Sequence, residues 1–144
     1  MQYVCDAPGR KTRFRIETDG EATLESEAMQ HGVDNHFRNS RAHAAASYRP
    51  DRNLRPIERD IGLKAHIAHR MPMFLTLREH DGTALATAIL PPDAKPDPDF
   101  EPMIVGPQYS DPKSSQGEAI AALEKHFGLK LGTAGHNPFL NFAF

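Results

Sequence analysis

Alternating apolar and polar residues predict two β-hairpins, at about residues 2–18 and 72–90. In the first stretch, Phe14 and Ile16 point to one side of the strand, and the intervening positions are mostly basic. The turn is predicted at Pro8-Gly9, because proline presets φ and glycine accepts a positive φ. We therefore expect one face of this hairpin to lie on the core and the other face to be wet and basic.

The second hairpin has the clearer turn, since Asp81-Gly82 favours a two-residue type I′ turn. This turn requires a positive φ at Gly82, and it places Leu77 opposite Ala86 and Leu75 opposite Ala88. The small alanines on this face would let a helix approach the sheet closely. Both faces of the hairpin carry apolar residues, so we expect it at the centre of the sheet.

Helical periodicity predicts three helices, at about residues 21–47, 57–70 and 116–127. The first and third begin with the spacing of a capping box, in which two residues three positions apart each accept a side-chain hydrogen bond from the other's backbone amide. The two pairs are Thr18 with Glu21 and Ser115 with Glu118. Gly32 weakens the middle of the first helix by about 1 kcal/mol relative to alanine. Gly128 is a natural end for the third helix.

The apolar residues of the predicted helices form narrow faces. On the second helix, one face holds Ile57, Ile61, Ala65, Ala68 and Met71, and the opposite side holds Glu58, Gly62, His66 and His69. The stripe of the first helix is poor in large apolar residues, which favours packing on a sheet rather than filling a core. We therefore expect an α+β fold in which the helices cover one face of an antiparallel sheet.

Two further segments fall outside these elements. Residues 91–102 hold five prolines and four acidic residues, which predicts an extended, solvated loop. The C-terminal segment Phe139–Phe144 alternates large apolar residues with smaller or polar ones, as a strand does. Because three exposed large side chains would be an aggregation hazard, we expect this tail to dock on its own sheet or on another subunit.

Length and composition fit one domain, residues 1–144, without a membrane-spanning or export signal. The 144 residues are typical of a single domain. No apolar run approaches 18 residues, and the N-terminus lacks a basic start followed by an apolar stretch. The single cysteine excludes an internal disulfide. We therefore expect a soluble, cytoplasmic protein that makes no membrane contact.

Charge is unevenly distributed along the chain, although the net charge is only −2. Residues 37–70 carry eight basic and three acidic residues. The segments 10–15 and 38–59 predict an arginine-rich face that could contact phosphates, because arginine binds them in bidentate fashion. Its candidate residues are Arg10, Lys11, Arg13, Arg15, Arg38, Arg41, Arg52 and Arg55. The pI near 6.4 and the absence of a known nucleic-acid-binding motif argue against this interpretation.

Eight histidines raise the question of a metal site. His36 and His43 lie on one side of the first helix, but their rise differs by roughly 10 Å, too far for one ion. His66 and His69 could share an ion, yet zinc requires at least three protein ligands. We therefore expect no metal and no other cofactor.

No motif for nucleophilic or acid–base catalysis is present, and Cys5 is interpreted as a small half-buried apolar residue. We therefore expect a small intracellular binding or regulatory module without catalysis. Its partner is an unidentified protein or a second copy held through Phe139–Phe144. Nucleic-acid binding is the first alternative. The second is a small enzyme whose site is assembled from separated residues. A deep pocket holding two or more of Arg13, Arg15, His66 and His69 would favour an enzyme or a small-ligand receptor.

Overall fold

Five antiparallel strands form one sheet in the order β1–β2–β3–β4–β5, so each strand pairs with its neighbours in sequence. The computed structural model describes residues 1–132. The strands are β1 (Gln2–Ala7), β2 (Lys11–Arg15), β3 (Met73–Arg78), β4 (Ala84–Leu90) and β5 (Met103–Val105). Both predicted hairpins and the α+β class are confirmed.

The second hairpin, β3–β4, lies between β2 and β5, as its two apolar faces predicted. Leu75 pairs with Ala88 and Leu77 with Ala86, so the predicted register is confirmed. The turn type differs from the prediction. Gly82 has φ +92°, but Asp81 does not share the positive φ that a type I′ turn requires. Instead the Gly82 amide donates to the Glu79 carbonyl. A β-bulge follows on β4, where Leu85 is the extra residue between the Arg78–Ala84 and Leu77–Ala86 pairs.

Replacing Gly82 by valine should destabilise the protein by about 1–2 kcal/mol, because a β-branched residue is strained at positive φ. A side chain at this position would meet no atom within 4 Å, so the strain comes from the backbone alone. Gly82→Asn should cost less, since asparagine tolerates the left-handed conformation. Urea unfolding measures both, and an equal loss for the two variants would contradict this origin of the strain.

Four helices accompany the sheet within residues 1–132: α1 (Asp19–Met29), α2 (Val33–Ala46), α3 (Pro56–Arg70) and α4 (Lys113–Phe127). The helix expected at 21–47 is therefore two helices, a correction to the sequence prediction. Gln30 adopts a left-handed φ of 53°, and its amide donates to Ser26, which ends α1. The Gly32 amide then donates to the Tyr109 hydroxyl at 2.6 Å, so the break is held by a distant segment.

Two of the predicted helix ends are confirmed, and one is wrong. The Thr18–Glu21 capping box forms, and Gly128 ends α4 with φ 67°. The second capping box does not form, because α4 begins at Lys113 and its N-cap is Pro112, without a side-chain cap. The Ser115 hydroxyl contacts the Pro112 carbonyl at 3.4 Å instead.

Helices cover both faces of the sheet, whereas the sequence analysis expected one covered face. Apolar residues of α4 pack on Leu75, Leu77, Ala86 and Ala88. On the opposite face, residues of α1 and α2 pack on Phe74 and Ile89 of the central strands. The physical reason is that both faces of the central hairpin are apolar, so each needs a covering layer.

Helix α3 contacts the rest of the protein through Gly62, His66 and Ile67. Gly62 faces the Tyr48 hydroxyl so closely that a β-carbon there would lie 2.2 Å from it. His66 packs on the Tyr48 ring, with ring centroids 5.3 Å apart. By contrast, Ile57 is 65% exposed and Ile61 is 62% exposed. The first part of the predicted apolar stripe therefore faces solvent, whereas Ala68 is half-buried and Met71, at the end of the helix, is buried.

The remaining segments connect these layers. The acidic, proline-rich loop is largely exposed, as expected, but Pro91 and Ala94 are buried and Phe100 packs on the α1–α2 core. After α4 the chain returns to the start of β5, where Gly132 forms a parallel bridge with Met103. The tail prediction at Phe139–Phe144 lies outside the described residues. No helix in residues 1–132 is long and apolar enough to cross a bilayer.

Candidate functional site

One face of α2 forms the wall of an open groove with a volume of about 900 Å³. Successive side chains three or four positions apart on a helix share a face, which is why this wall is continuous. The α2 wall consists of His36, Asn39, Ser40, Ala42, His43, Ala44 and Ser47. The opposite side consists of Arg70, Met71 and Pro72 at the end of α3, and of Phe100 from the proline-rich loop.

His36 forms part of the floor of this groove. Its ring is only 3% exposed and meets the Phe74 ring edge-on, with centroids 5.0 Å apart. The Ser40 hydroxyl lies 3.3 Å from His36 Nδ1. Burial lowers the pKa of His36 from 6.5 to about 4, so the imidazole is neutral at physiological pH.

The pairing of Ser40 with His36 resembles part of a nucleophilic site, but its proton affinity does not suit that chemistry. A general base works best when its pKa lies near the operating pH. With a pKa of about 4, His36 binds a proton too weakly to activate the Ser40 hydroxyl efficiently near neutrality. The pairing of Ser40 with His36 therefore offers hydrogen-bonding positions rather than acid–base chemistry near neutral pH.

Arg70 is the only formally charged side chain in the described lining of the groove. It is exposed at the C-terminal end of α3. Within residues 1–132 it makes no ion pair or hydrogen bond, unlike Arg38, Arg41 and Arg55. Its guanidinium is therefore available to an anionic group bound at this end of the groove.

A second polar cluster is closed and lies between α1 and the central strands. Glu25 is fully buried, and its carboxylate accepts from Arg78 Nη2 at 2.9 Å and from the Thr87 hydroxyl at 2.8 Å. His31 Nε2 lies 3.0 Å from the same hydroxyl. Its other nitrogen accepts from the Val33 amide at 3.4 Å, which assigns the ring proton to Nε2.

Burial lowers the pKa of His31, which agrees with a neutral ring in this cluster. The chain of donors runs from His31 through Thr87 to Glu25, and Arg78 supplies the balancing charge. Sequence reasoning did not identify this cluster. The signal was present, since Glu25 lies three residues after Ala22 and therefore shares its buried stripe.

Arg13 corrects the expectation of a wet basic face on the first hairpin. It is 3% exposed and donates to the Ala119 carbonyl of α4, to the Asp6 carbonyl at 3.3 Å and to Cys5 Sγ at 3.4 Å. The reason is that α4 covers this face of β2. Arg15, on the same face, is half-buried and donates to the Ala68 carbonyl of α3 at 2.8 Å.

The other predicted basic residues lie on separate parts of the surface. Arg38 pairs with Asp34, Arg41 with Asp19, and Arg55 with Glu58. Lys11 donates to Gln116 at the start of α4, while Arg10 and Arg52 are exposed. A cavity of about 330 Å³ does bring Arg15, Arg41 and Lys64 together. The structure thus groups two of the eight predicted residues in one cavity.

The two candidate metal ligands have separate partners. His66 Nε2 lies 2.7 Å from the Ser47 hydroxyl, and His69 Nδ1 lies 2.9 Å from Asp93 Oδ1. Residues 1–132 hold no group of three histidine, cysteine, aspartate or glutamate side chains placed to bind a metal. The groove at α2 holds none of Arg13, Arg15, His66 and His69, and the cavity beside Arg41 holds only Arg15, so neither is the pocket that these four residues were expected to form in an enzyme or a small-ligand receptor.

We compared the chain with protein-family models, curated proteins and solved structures. No family model, curated protein or solved structure matches it.

Proposed function

We propose that this protein is a binding module without catalysis, and that its ligand site is the groove between α2, the end of α3 and Phe100. The observation that carries this proposal is the groove itself. Its volume of about 900 Å³ lies within the range of small-molecule sites. Apolar side chains with a few polar groups are the usual lining of such sites, and this groove combines both.

The lining favours a ligand with an apolar body and one anionic group. Met71, Pro72 and Phe100 offer apolar contact on one side. At the same end, Arg70 provides a guanidinium that a carboxylate, sulfonate or phosphate can bind in bidentate fashion. Asn39 adds a neutral hydrogen-bonding group on the α2 side. A single cation beside an apolar wall favours a singly charged amphipathic molecule over a polyanion.

The two alternative functions have weaker support. An enzyme would need a positioned base. The low pKa of His36 disfavours it near neutral pH, and the ring of His43, the other histidine of the groove, has no hydrogen-bond partner within residues 1–132 to orient it. Nucleic-acid binding through segments 10–15 and 38–59 would need a continuous basic face. Arg13 is covered by α4, and Arg38 and Arg41 pair with acidic residues.

A fluorescence titration with anilinonaphthalene sulfonate tests the proposal, because this probe joins an aromatic body to one anionic group. We expect Arg70→Gln to weaken binding about tenfold, since a charge-assisted hydrogen bond to the sulfonate is lost. Arg52→Gln is the matched control, because it removes an exposed arginine that does not line the groove. Its affinity should equal that of the wild type.

Two further measurements separate the parts of the site. The neutral analogue phenylnaphthylamine should bind the wild type and Arg70→Gln equally, because it makes no contact with a cation. Ala42→Trp, which places a large side chain at the groove wall, should block both probes. Probe binding that is insensitive to both substitutions would show that the ligand site is elsewhere. Tight, salt-sensitive binding of duplex DNA would favour the nucleic-acid alternative.

A further inference from the structure

The last turn of α3, which carries Arg70, is held by two polar contacts from other parts of the chain. The Arg15 guanidinium on β2 donates to the Ala68 carbonyl at 2.8 Å. His69 Nδ1 lies 2.9 Å from Asp93 Oδ1, and the imidazole is the donor because an ionised carboxylate only accepts. The helix has no fully buried residue. Its last turn therefore depends on these polar contacts more than the end of a core helix would.

Asp93 belongs to a strained turn of the proline-rich loop. Asp93 and Ala94 have φ values of 56° and 55°, so two consecutive residues other than glycine are left-handed. Such strain persists only where the surrounding structure holds it. Ala94 is 6% exposed, which fixes one side of the turn, and the carboxylate of Asp93 ties the other side to His69. Burial lowers the pKa of Arg15, and the charges of Glu17 and Asp93 oppose that shift, so this carboxylate also attracts Arg15.

We propose that His69 and Asp93 are positioning residues that place the Arg70 guanidinium at the groove and thereby set its preference for anionic over neutral ligands. This inference rests on the proposed function, because it concerns the same groove and the same cation. Neither His69 nor Asp93 is in the described lining of the groove. Arg70 directly follows His69, so a hydrogen bond that fixes the His69 ring also limits the movement of the helix end that carries Arg70. Met71, the next residue, is buried and needs no such support.

The sign of the effect separates positioning from simple electrostatics. A carboxylate that acted only through its negative charge would repel an anionic ligand, so removing it would strengthen binding. A carboxylate that holds the helix end has the opposite effect. Its removal leaves the Arg70 guanidinium loosely placed, and anion binding becomes weaker.

Fluorescence titrations of variants of the full-length chain with anilinonaphthalene sulfonate and phenylnaphthylamine test the proposal. Asp93→Ala and His69→Ala should each weaken binding of the sulfonate about fivefold and leave binding of the neutral probe unchanged. Asp93→Asn should keep the wild-type affinity, since asparagine offers the same oxygen acceptor and tolerates the left-handed conformation. Asp60→Ala is the matched control, because it removes an exposed carboxylate that pairs with Lys64 within α3. Its affinity for both probes should equal that of the wild type.

Two double variants show whether the residues act through one contact and through Arg70. His69→Ala combined with Asp93→Ala should weaken sulfonate binding no more than either substitution alone, because both remove the same hydrogen bond. Asp93→Ala added to Arg70→Gln should have no further effect, because the cation that it positions is already absent. Thermal melting of each variant checks that the protein remains folded.

Several outcomes would overturn the proposal. Stronger sulfonate binding by Asp93→Ala would show that the carboxylate acts only through its charge. Equal losses for the two probes would show a general change of the groove, and multiplied losses in the double variant would show separate contacts. If Arg70→Gln weakens sulfonate binding but neither Asp93→Ala nor His69→Ala does, this inference fails and the proposed function stands. If Arg70→Gln itself has no effect, the proposed function fails at its cation, and this inference fails with it.

Discussion

Replacing Arg78 by leucine should destabilise the protein by about 3–5 kcal/mol, the usual cost of leaving one partner of a buried ion pair alone. Glu25 is fully buried, and its carboxylate is held by Arg78 at 2.9 Å and by the Thr87 hydroxyl at 2.8 Å. A hydroxyl supplies one hydrogen bond but no balancing charge. Without Arg78 the carboxylate would remain buried without a counter-ion. The free energy of unfolding would therefore fall by the cost of an unpaired buried charge.

Urea unfolding at neutral pH measures this loss. The matched control is Arg55→Leu, because Arg55 forms an ion pair with Glu58 at the surface and its side chain is 77% exposed. Exposed pairs contribute about 0–1 kcal/mol, so the control should lose far less stability than Arg78→Leu.

A double variant, Glu25→Leu with Arg78→Leu, separates the charge effect from packing. It should be more stable than Arg78→Leu alone, because removing both charges leaves no uncompensated ion. If the two substitutions instead add their separate losses, the ion pair is not the source of the effect. A loss of under about 1 kcal/mol in Arg78→Leu would likewise contradict the assignment.

The features that the sequence predicted correctly depend on short-range rules. The positive φ at Gly82, the capping box of Thr18 and Glu21, and the end of α4 at Gly128 all involve residues within a few positions. The pairing of Leu77 with Ala86 follows from the hairpin connection between them. Such features are set by backbone preference and chain connectivity, so local sequence suffices to predict them.

The features that the sequence did not predict depend on contacts between distant segments. The break between α1 and α2 is held by the Tyr109 hydroxyl, which accepts a hydrogen bond from the Gly32 amide. Tyr109 lies 77 residues further along the chain, so the sequence around Gly32 does not predict the break. Arg13 is buried because α4 happens to cover that face of β2. The rotation of α3 depends on Tyr48 fitting against Gly62, and only a glycine leaves room for the hydroxyl there. Each of these three features is determined by tertiary packing rather than by the periodicity of the sequence.

The candidate site could be predicted from the sequence only in part. The spacing of His36 and His43 on one side of a helix is visible in the sequence, and both residues line the groove. Periodicity does not show that the first is buried and the second exposed. That difference arises because the ring of His36 packs against Phe74 of β3. The chemistry of the two histidines is therefore decided by the fold.

Lowering the pH from 7 to 4 should cost the protein about 3 kcal/mol of stability through His36 alone. Its pKa is about 4 in the folded state and 6.5 when exposed, because burial disfavours the charged ring. Below pH 6.5 the unfolded chain binds a proton at this position, and the folded chain does not until about pH 4. Stability from this residue is therefore complete above pH 6.5, falls across that window and changes little below pH 4.

Urea unfolding of the wild type and of His36→Phe between pH 7 and pH 4 measures this effect. Phenylalanine keeps an aromatic ring against Phe74 but does not titrate, so the acid-induced loss should shrink by about 3 kcal/mol. Acidic groups and His31 contribute equally in both proteins, so the difference between the two curves isolates His36. His43→Phe, at an exposed position on the same helix, is the control and should follow the wild-type curve. Parallel curves for the wild type and His36→Phe would mean that the His36 ring is hydrated in solution. The floor of the groove would then be wet and able to take a charge.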